Sequence, residues 1–310
     1  AFLGRHSQHP DLDLVVPSDA LRHTAHLAKT FGGKRVVLDE QRDIARLVLK
    51  GWTIDLARQE GHCLEDDLWR RDYSLNAIAL PLRPLAPLCD PTGGIDDLKR
   101  GRLRAVREQN LIDDPLRLLR GLRLLAEIPL VLDTETGEWI QRHRQALVES
   151  APERILAELQ RLVKGTHADH SLHLLKRWQL LQPWGTTPQT LSKHDTTLLQ
   201  AAEIADALPL ARLTNLISDD GLKRLKASKV LQQRCARLRH WILQAKQQPE
   251  ALPEQERLQL HLELEVDLAA LILGLPIELQ AQWLKRWRDP NDPLFHPTMP
   301  LDGGSLQREL

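Results

Sequence analysis

Asp11-Leu12-Asp13 sets two carboxylates at positions i and i+2. On a β-strand both point to one face, about 6–7 Å apart along the chain. Like charges held that close repel unless a cation lies between them. Mg2+ accepts such oxygen ligands and keeps its other positions for water or phosphate. A two-metal arrangement would also activate an attacking hydroxyl and stabilise a leaving pyrophosphate. The strand itself is legible, because Leu12, Leu14 and Val16 alternate with Asp11, Asp13 and Val15. Asp55 is a third candidate carboxylate: Trp52, Ile54 and Leu56 face one way, and Thr53, Asp55 and Ala57 the other. The plain alternative for Asp55 is a solvated strand residue.

Three further segments carry groups that could hold a nucleotide. Arg70-Arg71-Asp72, followed by Asn76, sits in a run that reads as helix through Leu80. A helix returns to the same face after four residues, so Asp72 and Asn76 could act on one ligand. Arginine forks suit phosphate, and an Asp/Asn pair suits a ribose hydroxyl. In Asp113-Asp114-Pro115-Leu116-Arg117, Asp114 reads as a helix cap and Pro115 as the first helical position. Arg117, Arg120 and Arg123 then form a slanting cationic stripe. Asp114 and Arg117 offer an acceptor edge and a donor fork, as recognition of a base edge requires. The alternative there is a capped helix with an Asp113–Arg117 ion pair worth about 0.3–0.5 kcal/mol. Asp90-Pro91-Thr92-Gly93-Gly94 reads as a hinge or cap, with Arg102 and Arg104 following.

The elements that must position these groups form a small α/β head followed by a long helical body, an α+β chain. Strands are expected at 10–16, 35–38, 44–49 and 52–57, with a helix between the first two, capped near Ser18 and stopped at Gly32-Gly33. A strand pair is expected around Leu80–Leu88 and Leu103–Val106. Beyond Ala151 only helices and connectors are legible, punctuated by Pro183, Pro188 and Pro253. With 310 residues, 42% hydrophobic and 27% charged, the chain can bury more than one core. No apolar run approaches the roughly 18–20 residues of a membrane span. Cys63, Cys89 and Cys235 are too scattered for a disulfide framework, so a reducing cytoplasm is the expected location. The formal charge is zero, but Lys223, Arg224, Lys226, Lys229, Arg234 and Arg237 concentrate positive charge against Asp219 and Asp220. Such a stretch could track a phosphate backbone or be a solvated helix surface. His194-Asp195 lacks the partner histidines of a phosphohydrolase metal site and reads as surface.

In order and spacing, these segments resemble the class II tRNA nucleotidyltransferase and bacterial poly(A) polymerase family. Asp11-Leu12-Asp13 is similar to its metal-binding strand, and Arg70-Arg71-Asp72 through Asn76 to its ribose-contacting segment. Asp90 to Leu98 resembles its head-to-neck hinge, and Asp113 to Arg117 its nucleotide-selecting helix. Pro152-Glu153-Arg154-Ile155 with Glu158-Leu159 resembles its neck helix. The match covers roughly residues 3–165.

The resemblance implies a head at 1–106, a neck at 107–170 and an RNA-binding body at 171–310. It implies Mg2+-dependent transfer of nucleotides from CTP or ATP to a tRNA 3′ end. Asp11, Asp13 and Asp55 would be catalytic, with Mg2+ on Asp11 and Asp13. Arg70, Arg71, Asp72, Asn76, Asp114, Arg117 and Arg120 would contact the nucleotide. The family opens with a Gly-Gly segment that would precede Leu3-Gly4-Arg5, and Pro300-Leu301-Asp302-Gly303-Gly304 stops inside a tail element, so a fragment at both ends is expected. Asp113 stands where the family usually has Glu. Only seventeen positions separate Asp55 from Asp72, where enzymes adding all of CCA have a longer loop. CC addition is therefore the expected activity, with A addition, poly(A) synthesis or a non-catalytic RNA-binding role as alternatives.

Overall fold

The computed structural model describes residues 11–82, 86–185, 196–245, 252–293 and 295–296. The chain forms two compact units, residues 1–96 and 97–310. In the first, β1 (Asp11–Val16), α1 (Ala20–Phe31), β2 (Lys34–Asp39), β3 (Ile44–Leu49) and β4 (Trp52–Arg58) follow one another. The sheet order is β1-β4-β3-β2, with β1 parallel to β4 and the other neighbours antiparallel. Period-two alternation gives the sheet one apolar face: Ala45, Leu47 and Leu56 are buried, and α1 packs on β3 and β4 with Ala20 and Thr24 inward. The opposite face keeps the polar members of the same strands.

The start of α1 departs from expectation. Ser18 donates to Asp19, and neither caps the helix. Asp43, held at positive φ, reaches across to accept from the amides of Ala20 and Leu21 at 2.9 and 2.8 Å. A remote aspartate thus satisfies the helix's first donors, and no local sequence rule points to it.

The helix expected across Arg70–Leu80 also fails to form. Here α2 (Leu64–Trp69) stops before Arg70, and only a 3₁₀ turn, Ser74–Asn76, follows. Asp72 Oδ1 accepts from the next amide, Tyr73, which is extended; such local bonding competes with a helical path. Nor, among the described residues, does the stretch 80–88 pair with 103–106. Ala79 makes a single bridge to Cys89, while β5 (Arg102–Leu103) pairs in parallel with β6 (Val131–Leu132).

Beyond α3 (Gly94–Lys99), the second unit is helical: α4 (Glu108–Asp113), α5 (Leu116–Glu127), α6 (Thr134–Arg142), α7 (Pro152–Lys164) and α8 (Ala168–Arg177). Further on come α9 (Ala201–Leu216), α10 (Asp219–Arg224), α11 (Lys229–Gln244), α12 (Glu254–Leu264), α13 (Leu268–Gly274) and α14 (Ile277–Trp287). Helix α5 packs against α7 and α8, and α9 against α7, α11 and α13. Leu118, Leu119, Leu122, Ile155, Leu159 and Leu162 are fully buried at the first of these interfaces. Gly165 is obligatory beside it, because a Cβ there would lie 2.3 Å from the carbonyl oxygen of Ala126. No described helix is long and apolar enough to cross a membrane.

Charge is also stored inside this unit. Asp97 is fully buried under Arg102 and Arg104, at 2.7 and 2.8 Å from their Nε atoms. Arg123, expected on one cationic stripe with Arg117 and Arg120, is buried between Glu127 on α5 and Glu158 on α7, at 2.5 and 2.7 Å. Three-residue spacing rotates a helix by 300° per step, so the stripe drifts and its third member enters the α5–α7 interface. Arg123→Ala would leave two partly buried carboxylates facing each other. The expected loss of unfolding free energy is about 3–5 kcal/mol, measurable by denaturant titration. A loss below about 1 kcal/mol would reduce the pair to a surface contact.

Candidate functional site

On the polar face of the sheet, register alone assembles a row of charged residues. Asp13 on β1 lies opposite Asp55 on β4, and Asp55 lies opposite Arg46 on β3. Asp11, two residues before Asp13, shares that face. The structure therefore brings together the three carboxylates expected from the sequence, and adds Arg46. The guanidinium grips Asp55 with two parallel bonds, Nε to Oδ1 and Nη2 to Oδ2, both 2.7 Å. Asp13 has its carboxyl pushed above the ordinary carboxylate range. Partial withdrawal from water is the main cause, followed by the charges of Asp55 and Asp11, with Arg71 and Arg46 opposing.

Arg71 is set by α2. Asp67, buried, accepts from Arg71 Nε and Nη2 at 3.0 and 2.7 Å with one oxygen and from the amide of Glu60 at 2.9 Å with the other. Arg70 turns to Glu60 at 3.2 Å. Asp72 and Asn76 meet as expected, Asn76 Nδ2 donating to Asp72 Oδ1 at 3.1 Å, although a turn and not a helix face brings them together. Asp90 caps α3 through the amides of Gly94 and Ile95 at 2.7 and 2.9 Å. Gly94 cannot be replaced without movement: a Cβ there would sit 2.0 Å from the carbonyl oxygen of Ser74, inside the turn that carries Asn76.

Asp114, Arg117 and Arg120 belong to the second unit. Asp114 caps α5 through Leu116 N at 3.3 Å and receives Arg154 Nη2 at 3.1 Å. Arg117 donates to the carbonyl oxygen of Asn110 at 3.1 Å, and Arg120 is half-buried on the same helix. Asp113 closes α4 and accepts from Gln109 at 2.8 Å, a partner one turn back and not the Arg117 of the alternative reading.

The basic stretch of the body is half paired within the fold. Arg224 pairs with Asp220, Lys226 with Glu153, Arg234 with Asp267 and Arg239 with Asp219, while Lys223, Lys229 and Arg237 are exposed. His194 and Asp195 lie outside the described residues.

Sequence reasoning missed Arg46 and Asp67, and named Arg154 only within the neck-helix resemblance, without its contact to Asp114. Arg46 needed the strand register, which no single strand reveals. Asp67 was detectable as the i, i+4 partner of Arg71. Arg154 is forty positions from Asp114 and left no local signal.

An open hollow of about 760 Å³, lined by Gln59, Cys63, Glu65, Leu88, Cys89 and Asp90 among others, contains none of the three carboxylates of the row. Among the described residues no group of three or more His, Cys, Asp or Glu side chains forms a ready metal cage. Asp11 and Asp13 supply carboxylate oxygens without a guanidinium fork, while Asp55, paired with Arg46, keeps a second lone pair on each oxygen. That fits a hard cation completing its shell with water and phosphate better than one needing a closed cage. All three cysteines are free thiols.

Residues 1–104 match the poly(A) polymerase head domain, and residues 130–186 match a probable RNA and SrmB-binding site of polymerase A. The chain belongs to the tRNA nucleotidyltransferase and poly(A) polymerase family. A CC-adding tRNA nucleotidyltransferase of Synechocystis sp. is 36% identical over 256 residues, 74% of this chain and 61% of that protein. An A-adding tRNA nucleotidyltransferase of Halalkalibacterium halodurans is 32% identical over 55% of this chain and 45% of its own length. The chain thus spans less than two thirds of these family members. A tRNA-processing enzyme in its apo form shares the fold with a TM-score of 0.76 at 21% identity, over 99% of this chain and 87% of the other. A Thermotoga maritima CCA-adding enzyme does so at 0.72 and 20%, over 99% and 78%.

The raised Asp13 value has a consequence for stability. A folded carboxyl that holds its proton more tightly than the usual 3.8 costs stability as pH rises from 3.8 through the raised value, and the cost is complete at neutral pH. Asp13→Asn should therefore raise the melting temperature at pH 7 in metal-free buffer. Because the group keeps solvent access, the gain should be on the order of 1–2 °C. It should shrink as pH falls toward 4. Thermal scans at the two pH values decide it; a lower melting temperature at pH 7 would make the Asp13 charge a net stabiliser.

Proposed function

We propose that the chain carries the catalytic head and nucleotide-selecting region of an enzyme that adds cytidines from CTP to the 3′ end of tRNA. The observation carrying this reading is the register row Asp13–Asp55 with Asp11 beside it, three carboxylates gathered on the polar face of a sheet. Such a cluster opposes stability and is retained for what it binds. Mg2+ held by Asp11 and Asp13 would supply charge neutralisation for attack of a ribose hydroxyl on a nucleoside triphosphate. The protein's own part is positioning. Asp67 aims Arg71 toward the acidic row, where its charge offsets Asp13 and suits a phosphate oxygen. Asp72 and Asn76 pool acceptor and donor atoms for a ribose hydroxyl. Asp114 and Arg117 are assigned the base edge by the family resemblance; Asp114, held by Arg154 and Leu116 N, has a fixed orientation suited to that task. Free thiols support a reducing cytoplasm as the place of action.

The choice of CC addition is supported by the connection between β4 and α2. It is short, and its amides at Glu60, His62 and Cys63 are all taken by Asp66 and Asp67. A connection tied in this way is a poor lever for reshaping a base pocket. A-adding relatives keep terminal adenosine addition as the second reading.

The deciding assay gives a full-length protein a tRNA ending before its CCA, with Mg2+ and CTP or ATP. Addition of two cytidines followed by a stall is expected; efficient adenosine addition to a tRNA ending in CC would move the assignment to the second reading. Asp11→Ala should lower transfer by about a hundredfold to a thousandfold while circular dichroism stays unchanged, the scale on which a lost charge-stabilising group acts. Near wild-type transfer would remove Asp11 from the site. Arg117→Ala should change the preference among CTP, ATP, UTP and GTP more than the total rate. An equal loss for all four would make Arg117 structural.

A further inference from the structure

In a nucleotide transfer two substrates meet, and Arg71, Asp72 and Asn76 suit the nucleotide. An in-line displacement sets the attacking hydroxyl and the leaving pyrophosphate on opposite sides of the transferred phosphorus. Arg71 acts on Asp13, toward the β1 edge of the acidic row, and Arg46 holds Asp55 from the β3 side. With the triphosphate beside Arg71, the RNA hydroxyl arrives from the other direction, across Asp55. We propose that the polar face of the sheet beyond Asp55, formed by Arg46, Val48, Val36 and Lys34, is the track on which the 3′-terminal nucleotides of the RNA lie. This rests on the transferase reading above and names the surface that takes its second substrate.

Strand register builds the track. Arg46 lies opposite Asp55 on one side and Val36 on the other, and Val48 lies opposite Lys34, so all four side chains share the face of the acidic row. Three features suit this face to an RNA strand. First, the Arg46 fork uses Nε and Nη2, and Nη1 has no partner among the described residues. The half-exposed side chain therefore keeps two N–H donors for a phosphate. Second, Lys34 is exposed and pairs with no carboxylate among the described residues, and the stretch from Ala20 to Leu38 contains no Asp or Glu at all. Third, Val36 and Val48 are 38% and 42% exposed between these two cations, an apolar floor that a ribose or base can cover. The β2 strand lies two strand spacings, about 10 Å, from β4. Lys34 thus meets an internucleotide phosphate, while the terminal hydroxyl stays at the acidic row.

The test uses full-length protein, Mg2+, CTP and a tRNA ending before its CCA. Lys34→Gln should raise KM for the tRNA about fivefold and leave KM for CTP within about twofold. It should also flatten the dependence of log kcat/KM on log salt by about 0.7–1, the share of one lost phosphate contact. Lys34→Arg, which keeps the charge, should restore both. In the unaltered protein, a photoreactive thiouridine as the last nucleotide of the tRNA should crosslink on irradiation to a peptide within residues 34–48. Crosslinks confined to other peptides would overturn the proposal. So would a Lys34→Gln enzyme whose tRNA KM and salt slope match wild type. A rise in the CTP KM alone would put the incoming nucleotide on this face and overturn it as well. If Lys34→Gln loses its fold by circular dichroism, the crosslink decides. Absence of any transfer by the wild-type protein would remove the transferase reading and the track together, whereas failure of the crosslink and Lys34 arms in an active enzyme removes the track alone.

Discussion

Mutual repulsion among carboxylates on one face of a four-stranded sheet is the constraint around which the first unit is organised. Asp11, Asp13 and Asp55 converge because β1 runs parallel beside β4, with no choice of rotamer needed. Everything near them answers that charge. Arg46 neutralises Asp55 from the next strand, and Arg71, held by a buried Asp67, offsets Asp13 from α2. The apolar face of the same sheet supplies the stability that tolerates this, through Ala45, Leu47 and Leu56 packed under α1. Burying each of the larger side chains contributes about 1.5–3 kcal/mol, which outweighs the repulsion among three partly solvated charges.

The second unit handles charge differently. Its ionic groups are mostly paired and partly buried, and they tie helices to one another. Arg123 links α5 to α7, and Arg212 reaches from α9 to the carbonyl oxygens of Val163 and Gly165 and to Asp169. Asp97 pins Arg102 and Arg104 beside the short β5–β6 ladder. Most of these contacts join residues more than thirty positions apart, so they fix tertiary geometry more than local helicity.

The strands of the head and their two faces were legible because alternation with period two is a local property. Asp11, Asp13 and Asp55 could be found from it, as could the meeting of Asp72 with Asn76, since their four-residue spacing also suits a turn. What failed were inferences in which a side chain competes with the backbone. Asp72 bonds its neighbour's amide and ends any helix through Tyr73, and Asp43 caps α1 from a separate strand junction. Arg46 was invisible for a related reason: its meaning lies in which residue it faces across β4, and register is set by the whole sheet. Arg123 was grouped with Arg117 and Arg120 because i, i+3 spacing was extended over two turns, past the point where the helix surface becomes an interface.

The short segment between β4 and α2 joins these themes. Asp66 and Asp67 sit at the N-terminal end of α2, where its dipole favours negative charge, and their oxygens collect the amides of residues 60, 62 and 63. Gly61 takes a positive φ of 89° within that wrap, and a Cβ there would lie 2.4 Å from the Asp66 side chain, so the turn is compact as well as tied. Asp67 binds this turn with one oxygen and Arg71 with the other. Motion of the turn would therefore disturb the arginine that offsets Asp13. A longer connection could move independently of Arg71. This one cannot, and so the length of the segment and the electrostatics of the acidic row are one constraint: a head wired in this way holds a single arrangement of charge beside its acidic row.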